Sequence, residues 1–354
     1  MKILYDYQIL RSQKYGGISR YYYELIQYLK KQEDVCAEIR CLFSKNKYFE
    51  GKLDDYSCKD FKFLYGKSYI NMFYFDWILN NSDYDIFHPT YYNPYYVEKC
   101  KGKVVITVHD MIHEIYPEMV HNAKKIIDWK KKCVNKADHI IAISERTKAD
   151  LLYYFPHLTE EKISVVYHGG PREYATDIIE GIPSKYVLFV GQRLRYKNFD
   201  VLCKAMNMLM KDDPEIYLMC VGGGKFTKDE LKKMRYPSRC IQYDLSDNKL
   251  NYAYQNAQCF VFPSKYEGFG IPILEAFGNN CPIILSNTSC FPEIAGDAAL
   301  YFEPDNYKEL FEKMRDLIYG NDKGKYIRKG ISRLQNFSWD KVGTQTLDIY
   351  KALV

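Results

Sequence analysis

The sequence lacks the long apolar runs of a membrane-spanning protein and the cysteine spacings of a metal or disulfide framework. No uninterrupted apolar run of about 18 residues occurs in its 354 residues, so no membrane-spanning helix is expected. Residues 1–6 look like a buried strand, without the long apolar core and cleavage site of a signal peptide. The 11 cysteines are never spaced C-x-x-C, which favours reduced thiols. We therefore expect a cytoplasmic protein.

Strong charge and the motifs of several other protein classes are also missing. A net charge of +5 is too mild to indicate nucleic acid as a partner. No D-x-D pair stands where a metal would be needed, and Asp54 with Asp55 and Asp212 with Asp213 are interpreted as solvated loop acids. We therefore expect neither a metal nor a cofactor. No G-x-G-x-x-G follows the first strand, which argues against a dinucleotide oxidoreductase.

What is present is an alternation of apolar strands and amphipathic helices that occurs twice. Strands are predicted at 2–5, 35–43, 84–88, 103–109, 138–143, 163–167, 186–191, 216–221, 239–243, 259–262, 282–286 and 299–302. Helices are predicted at 18–31, 122–136, 198–211, 228–235, 247–256, 307–319 and 341–352. Near-continuous apolar strands between helices indicate parallel sheets covered on both faces.

The length of the chain fits two domains better than one. The segment 167–185 contains glycine and proline pairs and is the predicted linker. We predict two doubly wound α/β domains, residues 1–170 and 171–337, followed by a final helix within 338–354 that Ser338 caps. Such domains bind ligands beyond the carboxyl ends of their strands.

The most informative motif lies between Ser264 and Ala276, where the chain reads SKYEGFGIPILEA. It predicts a strand, a glycine turn and a helix N-terminus, with Glu267 before the turn and Glu275 in the first helical turn. Backbone N–H groups and the dipole of a helix start suit anions and sugar hydroxyls, and Pro272 fits the opening of a helix. The spacing alone more often indicates two solvated acids at a tight turn.

The residues around this motif favour the functional interpretation. The segment resembles the nucleotide-sugar site of the family 4 retaining glycosyltransferases, E-G-F-G-x-P-x-x-E-A. The resemblance continues through GQRLRYKN at 191–198, CPIILSNTS at 281–289 and PEIAGD at 292–297. It covers most of the chain, and most strongly residues 186–304. It implies the GT-B fold, in which two Rossmann-like domains face a central cleft and the last helix crosses back onto the first domain.

The resemblance also implies which residues of the second domain bind the donor. Arg193, as a fork for two phosphate oxygens, and Lys197, as a mobile point charge, would hold the diphosphate. Glu267 would lie beside the transferred sugar, and Glu275 would bind the ribose hydroxyls. The other implied donor contacts involve mainly the backbone, at Gly222, Gly223, Tyr243, Gly268, Phe269 and Gly270. The alternative for Arg193 and Lys197 is that they are surface charges of a βα loop.

The first domain offers weaker candidates. Gly17 would contact the donor from a glycine loop before a helix, and Arg20 follows it on the acceptor side. His109, at the end of a strand, would lie against the donor sugar and phosphate, and Asp110 beside it would line the acceptor side. His88 ends another strand and would line the acceptor side. The alternative for each histidine is a ring whose hydrogen bonds are satisfied inside the protein.

A basic amphipathic helix is predicted around residues 122–136. Its lysines are Lys124, Lys125, Lys130, Lys131 and Lys132. Such a helix can rest on an anionic membrane, which would make the protein peripheral on the inner face of the cell membrane. A solvated helix with one core face is the more frequent meaning of this pattern.

Taken together, the sequence predicts a metal-independent, retaining hexosyltransferase. It would move a hexose from a GDP-, UDP- or dTDP-linked nucleotide sugar to the hydroxyl of a carbohydrate or lipid-linked saccharide, in the synthesis of surface polysaccharide or glycoconjugates. The absence of an obvious Asp/His base pair fits the family's front-face mechanism, in which a donor phosphate oxygen takes the acceptor proton. Two alternatives remain open: a GT-B nucleotide-sugar epimerase or hydrolase, and a two-lobed sugar-binding protein without chemistry.

Overall fold

A computed structural model describes residues 1–51, 68–172 and 174–354. Asp54 and Asp55 lie outside the described residues. The chain divides into two compact units. Unit 1 comprises Met1–Gly169 and Ser338–Val354, and unit 2 comprises Gly170–Phe337. The ten cysteines that the structure describes are free thiols.

Unit 1 is built on a parallel six-stranded sheet. Its strands are β1 (Lys2–Tyr5), β2 (Cys36–Ile39), β3 (Ile86–His88), β4 (Lys103–Val108), β5 (His139–Ala142) and β6 (Ile163–Val165). They lie in the order β2-β1-β3-β4-β5-β6, and most of their residues are buried. Because helices cover both faces of a parallel sheet, the strands are apolar throughout instead of alternating with polar residues.

Seven of the described α-helices belong to unit 1. They are α1 (Gln8–Ser12), α2 (Gly17–Leu29), α3 (Ser68–Asn81), α4 (Ile112–Ile115), α5 (Ala123–Lys136), α6 (Glu145–Tyr154) and α14 (Trp339–Leu353). Ser144 caps α6 by accepting a hydrogen bond from the Thr147 N–H, and Ser338 caps α14 in the same way at Lys341. These side chains satisfy N–H groups that have no partner within the helix.

The last helix, α14, packs against unit 1. The Tyr350 hydroxyl lies 2.8 Å from that of Tyr5 on β1, and the Tyr28 hydroxyl on α2 lies 2.8 Å from that of Thr344. At Gly343 a side chain would overlap the Tyr28 ring, so glycine allows the two helices to approach closely. Unit 1 is therefore made of two separate stretches of the chain.

Unit 2 repeats the architecture with a second parallel sheet. Its strands are β7 (Tyr186–Val190), β8 (Tyr217–Val221), β9 (Cys240–Tyr243), β10 (Cys259–Phe262), β11 (Ile283–Ser286) and β12 (Ala299–Phe302), in the order β12-β11-β10-β7-β8-β9. Its helices are α7 (Phe199–Asp212), α8 (Lys228–Lys233), α9 (Asp247–Asn256), α10 (Ile271–Gly278), α11 (Phe291–Ala295), α12 (Tyr307–Tyr319) and α13 (Lys323–Leu334).

The strand order fixes one special position in each sheet. Connections run outward in both directions from the neighbours β1 and β3 in unit 1, and from β7 and β10 in unit 2. At such a switch point the loops after the two strands diverge and leave a crevice at their carboxyl ends. In unit 2 those loops carry the GQRLRYKN and EGFG segments, so the topology itself brings these two motifs together.

Candidate active site

The switch point of unit 2 joins two of the predicted site residues. Lys197, in the loop after β7, forms an ion pair with Glu267, in the loop after β10. Each side chain is 15% exposed, and the Lys197 ammonium lies 5.4 Å from the centre of the Phe262 ring. A cation and a carboxylate thus stand together, partly open to solvent, where the strand order predicts a crevice.

The backbone around Glu267 is held by a residue to which the sequence analysis gave no role. Ser289, after β11, donates its hydroxyl to the Glu267 carbonyl at 2.6 Å and accepts the Glu267 N–H at 3.2 Å. Its own backbone is left-handed, with φ of 56°. Ser289 closes the CPIILSNTS motif, and this link to Glu267 gives that motif a structural role.

The helix that follows, α10, begins earlier relative to Glu275 than predicted, at Ile271. Gly270 precedes the helix with φ of 91°, which favours glycine, and Pro272 lies in its first turn. Glu275 is the fifth helical residue, so its predicted place in the first turn is wrong and it lies in the second. Its carboxylate accepts a hydrogen bond from the Tyr254 hydroxyl at 3.2 Å. Tyr254 is a further neighbour that sequence analysis missed.

The turn between the two glutamates is buried. Gly268, Phe269 and Gly270 are all buried. The Phe269 ring packs edge-on against Phe337, with centres 5.9 Å apart. The phenyl group therefore anchors the turn in unit 2, and any contact of Phe269 with a donor would involve its backbone.

Arg193 does not offer the free fork that the sequence analysis expected. Its Nε donates to Glu230 at 2.7 Å and its Nη1 to the Gly222 carbonyl at 3.0 Å. Its Nη2 is shared among three further carbonyls, those of Gly223, Gly224 and Lys225, at 2.8–3.3 Å. Protein acceptors therefore occupy the directions along which a guanidinium would grip a phosphate, and the side chain is 3% exposed.

The carbonyls that Arg193 contacts belong to a loop of left-handed glycines after β8. Gly222, Gly223 and Gly224 have φ of 82°, 74° and 70°. The Gly222 N–H donates to the carbonyl of Tyr243, the last residue of β9, at 2.9 Å. A Cβ on Gly223 would lie 2.8 Å from Nη1 of Arg193, so a larger residue there would displace the guanidinium. The predicted positions Gly222, Gly223 and Tyr243 thus form one structural group with Arg193.

In unit 1, His109 follows β4 as predicted and is 6% exposed. Neither ring nitrogen has a hydrogen-bond partner among the described residues. Its backbone N–H donates to the Tyr92 hydroxyl at 3.0 Å, and Tyr21 packs edge-on against its ring. Burial lowers the pKa of His109 well below its usual value. His109 is therefore a neutral imidazole at physiological pH with donor and acceptor capacity to spare.

Lys130 is buried and contacts the backbone of Asp110, the residue that follows His109. The Lys130 ammonium is 0% exposed, donates to the Asp110 carbonyl at 2.9 Å and forms an ion pair with Glu114 at 2.8 Å. The prediction that Lys130 helps to bind a membrane is therefore wrong, because its charge is enclosed in the protein. The Asp110 carboxylate accepts the N–H of Ile112, the first residue of α4, at 3.1 Å.

The other predicted lysines of α5 remain accessible. Lys124, Lys125, Lys131 and Lys132 are exposed. Lys125 also lies 4.4 Å from the centre of the Trp129 ring. Among the described residues, no helix is long and apolar enough to cross a membrane.

His88 does not lie at an open acceptor site. Its ring is 0% exposed, with Nδ1 2.6 Å from the Tyr350 hydroxyl and Nε2 2.9 Å from the Thr107 hydroxyl. Burial lowers the pKa of His88 to about 3. The predicted acceptor role is wrong for this residue, because both nitrogens are used within unit 1.

Gly17 and Arg20 lie in the first turn of α2. Gly17 is exposed and is the first residue of the helix, which α1 separates from β1, so it does not directly follow the first strand. The Arg20 N–H donates to the Gly16 carbonyl at 3.0 Å, and its side chain is half-buried. Within the described ranges, no three His, Cys, Asp or Glu side chains gather as metal ligands would.

Known proteins match this chain in both sequence and fold. The Glycosyltransferase Family 4 profile matches residues 15–172 and the Glycosyl transferases group 1 profile matches residues 178–332. The O-antigen chain mannosyltransferase B of Escherichia coli is 26% identical over 299 residues, which are 78% of this chain and 77% of the relative. The O-antigen chain mannosyltransferase RfbU of Salmonella typhimurium is 27% identical over 238 residues, 66% of this chain and 64% of the relative.

Solved structures agree with the topology. A sucrose-phosphate synthase of Thermosynechococcus elongatus has a TM-score of 0.77 at 16% identity, covering 99% of this chain and 98% of its own. Anabaena HepE, solved in complex with UDP and glucose, has a TM-score of 0.76 at 15% identity over 100% of both chains. The fold is therefore that of the GT-B glycosyltransferases. The chain belongs to the group 1 glycosyltransferases of family 4.

Proposed function

We propose that this glycosyltransferase is a retaining enzyme that transfers a hexose from a nucleotide diphosphate sugar to an acceptor hydroxyl. The observation that carries the proposal is the Lys197–Glu267 pair at the switch point of unit 2. Under this proposal Lys197 binds the diphosphate, and Glu267, shortly before α10 in the chain, binds the sugar. Helix starts and fixed cations stabilise anionic groups without a metal.

Each residue has a distinct part in the proposed reaction. The bond between the anomeric carbon and the phosphate oxygen breaks, and Lys197 stabilises the negative charge that develops on the diphosphate. Glu267 binds the sugar, and Glu275, which Tyr254 orients, binds the ribose hydroxyls. The acceptor oxygen forms the new glycosidic bond on the same face and passes its proton to a donor phosphate oxygen. His109, with both ring nitrogens unpartnered, is the unit 1 residue proposed to meet the substrate.

The names of the relatives suggest substrates. Two are described as O-antigen chain mannosyltransferases, and HepE was solved with UDP and glucose. We propose a saccharide acceptor in surface polysaccharide or glycoconjugate synthesis, either free or lipid-linked, and a GDP-, UDP- or dTDP-linked donor. Cytoplasmic location follows from such donors as part of the same proposal.

A panel of nucleotide sugars tests the proposal. A donor that binds the folded protein raises its melting temperature by mass action, so a selective stabiliser identifies the base and sugar. NMR of the product formed with that donor and a saccharide acceptor then gives the anomeric configuration. An inverted product contradicts the retaining assignment. Donor turnover without an acceptor indicates an epimerase or hydrolase, and no stabilisation by any nucleotide sugar contradicts the proposal as a whole.

EDTA provides a second test. Transfer should persist after chelation, because fixed positive charge and a helix start take the place of a divalent ion. Loss of activity that Mg²⁺ or Mn²⁺ restores would contradict metal independence.

A further inference from the structure

Arg193 is tied to α8 through a capping residue. Glu230 accepts the Arg193 Nε through one carboxylate oxygen and the Thr227 N–H, at 2.7 Å, through the other. Thr227 in turn accepts the Glu230 N–H, which completes a capping box at the start of α8. Phe226 lies against the guanidinium, with its ring centre 4.7 Å away. The Arg193 guanidinium is therefore held by Glu230 and by Phe226 within the protein itself.

The same guanidinium donates hydrogen bonds to four successive carbonyl oxygens, those of residues 222–225. With these carbonyls turned toward Arg193, the N–H groups of Gly223 and Gly224 donate to no acceptor in the described chain. Both residues are exposed. Successive backbone N–H groups in left-handed or turn conformations form anion-binding concavities. Three consecutive glycines restrict their own backbone very little. The hydrogen bonds from Arg193 therefore hold residues 222–225 in a defined conformation.

We propose that Arg193, anchored by Glu230, is a positioning residue that holds residues 222–225 so that the N–H groups of Gly223 and Gly224 face an anionic group of the donor. In this role Arg193 does not contact the diphosphate itself. The inference rests on the proposed function, since it assumes a nucleotide diphosphate sugar as the donor.

The two roles of Arg193 predict opposite effects for Glu230→Gln. If Arg193 contacts the diphosphate directly, Glu230 competes with the phosphate, and its neutralisation frees the guanidinium and strengthens binding. If Arg193 positions the glycine loop, Glu230→Gln loosens the anchor and weakens binding. Asp229→Asn removes a neighbouring, exposed charge of the same helix and controls for the general change in charge.

The experiment is calorimetric titration of wild-type protein, Glu230→Gln, Asp229→Asn, Arg193→Lys and Arg193→Ala with UDP and GDP. We expect Glu230→Gln to bind the better of the two nucleotides about 3- to 10-fold more weakly, in the range of one lost ordinary hydrogen bond. Asp229→Asn should bind like wild type. Arg193→Lys should lose about as much as Arg193→Ala, because an ammonium keeps the charge but cannot span the four carbonyls.

A kinetic readout separates positioning from general destabilisation. Under the proposal, Glu230→Gln raises KM for the donor with little change in kcat, and its melting temperature stays close to that of wild type. Tighter nucleotide binding by Glu230→Gln, or near-wild-type binding by Arg193→Lys with loss in Arg193→Ala, would overturn the positioning role in favour of direct contact. If wild-type protein binds no nucleoside diphosphate, the proposed function fails instead.

Discussion

The two units share one topology but use their switch points differently. In unit 2 the loops after β7 and β10 meet in the partly exposed Lys197–Glu267 pair. In unit 1 the residues after β1 and β3 close the corresponding place. Asp6 accepts the Thr90 hydroxyl at 2.6 Å and the Tyr95 hydroxyl at 2.9 Å, and it is fully buried. The same architecture thus leaves charge accessible in one unit and encloses it in the other.

The difference shows that a polar residue at the end of a strand is not by itself evidence of a site. His88 and Asp6 lie at strand ends, and so does the loop that carries Lys197. The polar groups of His88 and Asp6, however, are hydrogen-bonded within unit 1. His109 is the exception in unit 1, because its ring is buried without a partner. We expect substitutions at enclosed groups to change stability and substitutions at open groups to change binding or turnover.

The positions of the three tryptophans allow the unfolding of unit 1 to be followed by fluorescence. Trp77, Trp129 and Trp339 all lie in unit 1 and none lies in unit 2. Tryptophan fluorescence therefore follows the unfolding of unit 1, whereas nucleotide titration follows the proposed function of unit 2.

The largest effect is expected at the enclosed pair of Lys130 and Glu114. Lys130→Met should cost about 3–5 kcal/mol of unfolding free energy, because it leaves a buried carboxylate without its cation. Urea unfolding followed by tryptophan fluorescence measures it. Lys131→Met, one residue along and exposed, should be close to neutral. The double substitution Lys130→Met with Glu114→Met should recover most of the loss. Equal stability of Lys130→Met and Lys131→Met would contradict the expectation that enclosed charges determine the stability of unit 1.

In contrast to Lys130→Met, Lys197→Ala should have a large effect on turnover and a small effect on stability. Removing a fixed charge from the departing diphosphate should lower kcat roughly 10²–10³-fold, while urea unfolding stays near that of wild type. Lys211→Ala, an exposed lysine of α7, is the matched control. Full activity of Lys197→Ala would remove this residue from the proposed mechanism.

The two glutamates of unit 2 should separate nucleotide binding from transfer. Glu275→Gln should weaken UDP or GDP binding by about 1.5–3 kcal/mol, since the ribose hydroxyls lose a charged acceptor. Glu267→Gln should bind the bare nucleotide nearly as wild type does but transfer more slowly. Calorimetry and initial rates on both variants decide this, and equal loss of nucleotide affinity would mean that the sugar lies elsewhere.

Acid should weaken unit 1, which contains all seven histidines. Burial lowers the pKa of His88 and of His168 to about 3, below the value of about 6.5 in the unfolded chain. The unfolded state therefore binds more protons between these pH values, and stability falls as pH drops below about 6.5. Each histidine should cost about 1.4 kcal/mol at a pH of about 5.5.

Urea unfolding followed by tryptophan fluorescence at neutral and acidic pH measures this loss. His88→Asn should flatten the dependence, and the exposed His121→Asn should leave it unchanged. A dependence that is the same in all three proteins would contradict the account.

The smallest effect concerns the exposed lysines of α5. If Lys124, Lys125, Lys131 and Lys132 attract an anionic membrane, each contributes up to about 1 kcal/mol near the surface. Replacing three of them with Gln should then abolish cosedimentation with anionic vesicles at low salt without changing transfer to a soluble acceptor. Wild-type protein that stays in solution with such vesicles would leave these lysines as an ordinary solvated face.

Sequence patterning predicted the sheets better than the helices. Each of the twelve strands found among the described residues lies within or on a predicted segment, because a buried parallel strand is a short, continuous apolar run. Helices α1, α4 and α11 are too short to show a period. The apolar residues of α3 do not fall on a single face. These helices depend on packing that periodicity does not reveal.

For the site, the residue types were predictable but their partners were not. Nothing in GQRLRYKN distinguishes an arginine that faces a ligand from one that binds its own loop. Lys130 did carry a signal, because it lies three and four residues before the buried Cys133 and Val134 and so shares their helix face. Counting along α5 would have separated it from its exposed neighbours.

The return of α14 to unit 1 has a consequence for synthesis on the ribosome. Residues 1–169 emerge first, but the Tyr350 hydroxyl that bonds to His88 and Tyr5 emerges last. At about 5–20 residues per second, all of unit 2 is translated during a delay of about 10–30 s before that partner arrives. Throughout this time the nascent unit 1 lacks its final helix, and this is the period in which a chaperone would have most to protect.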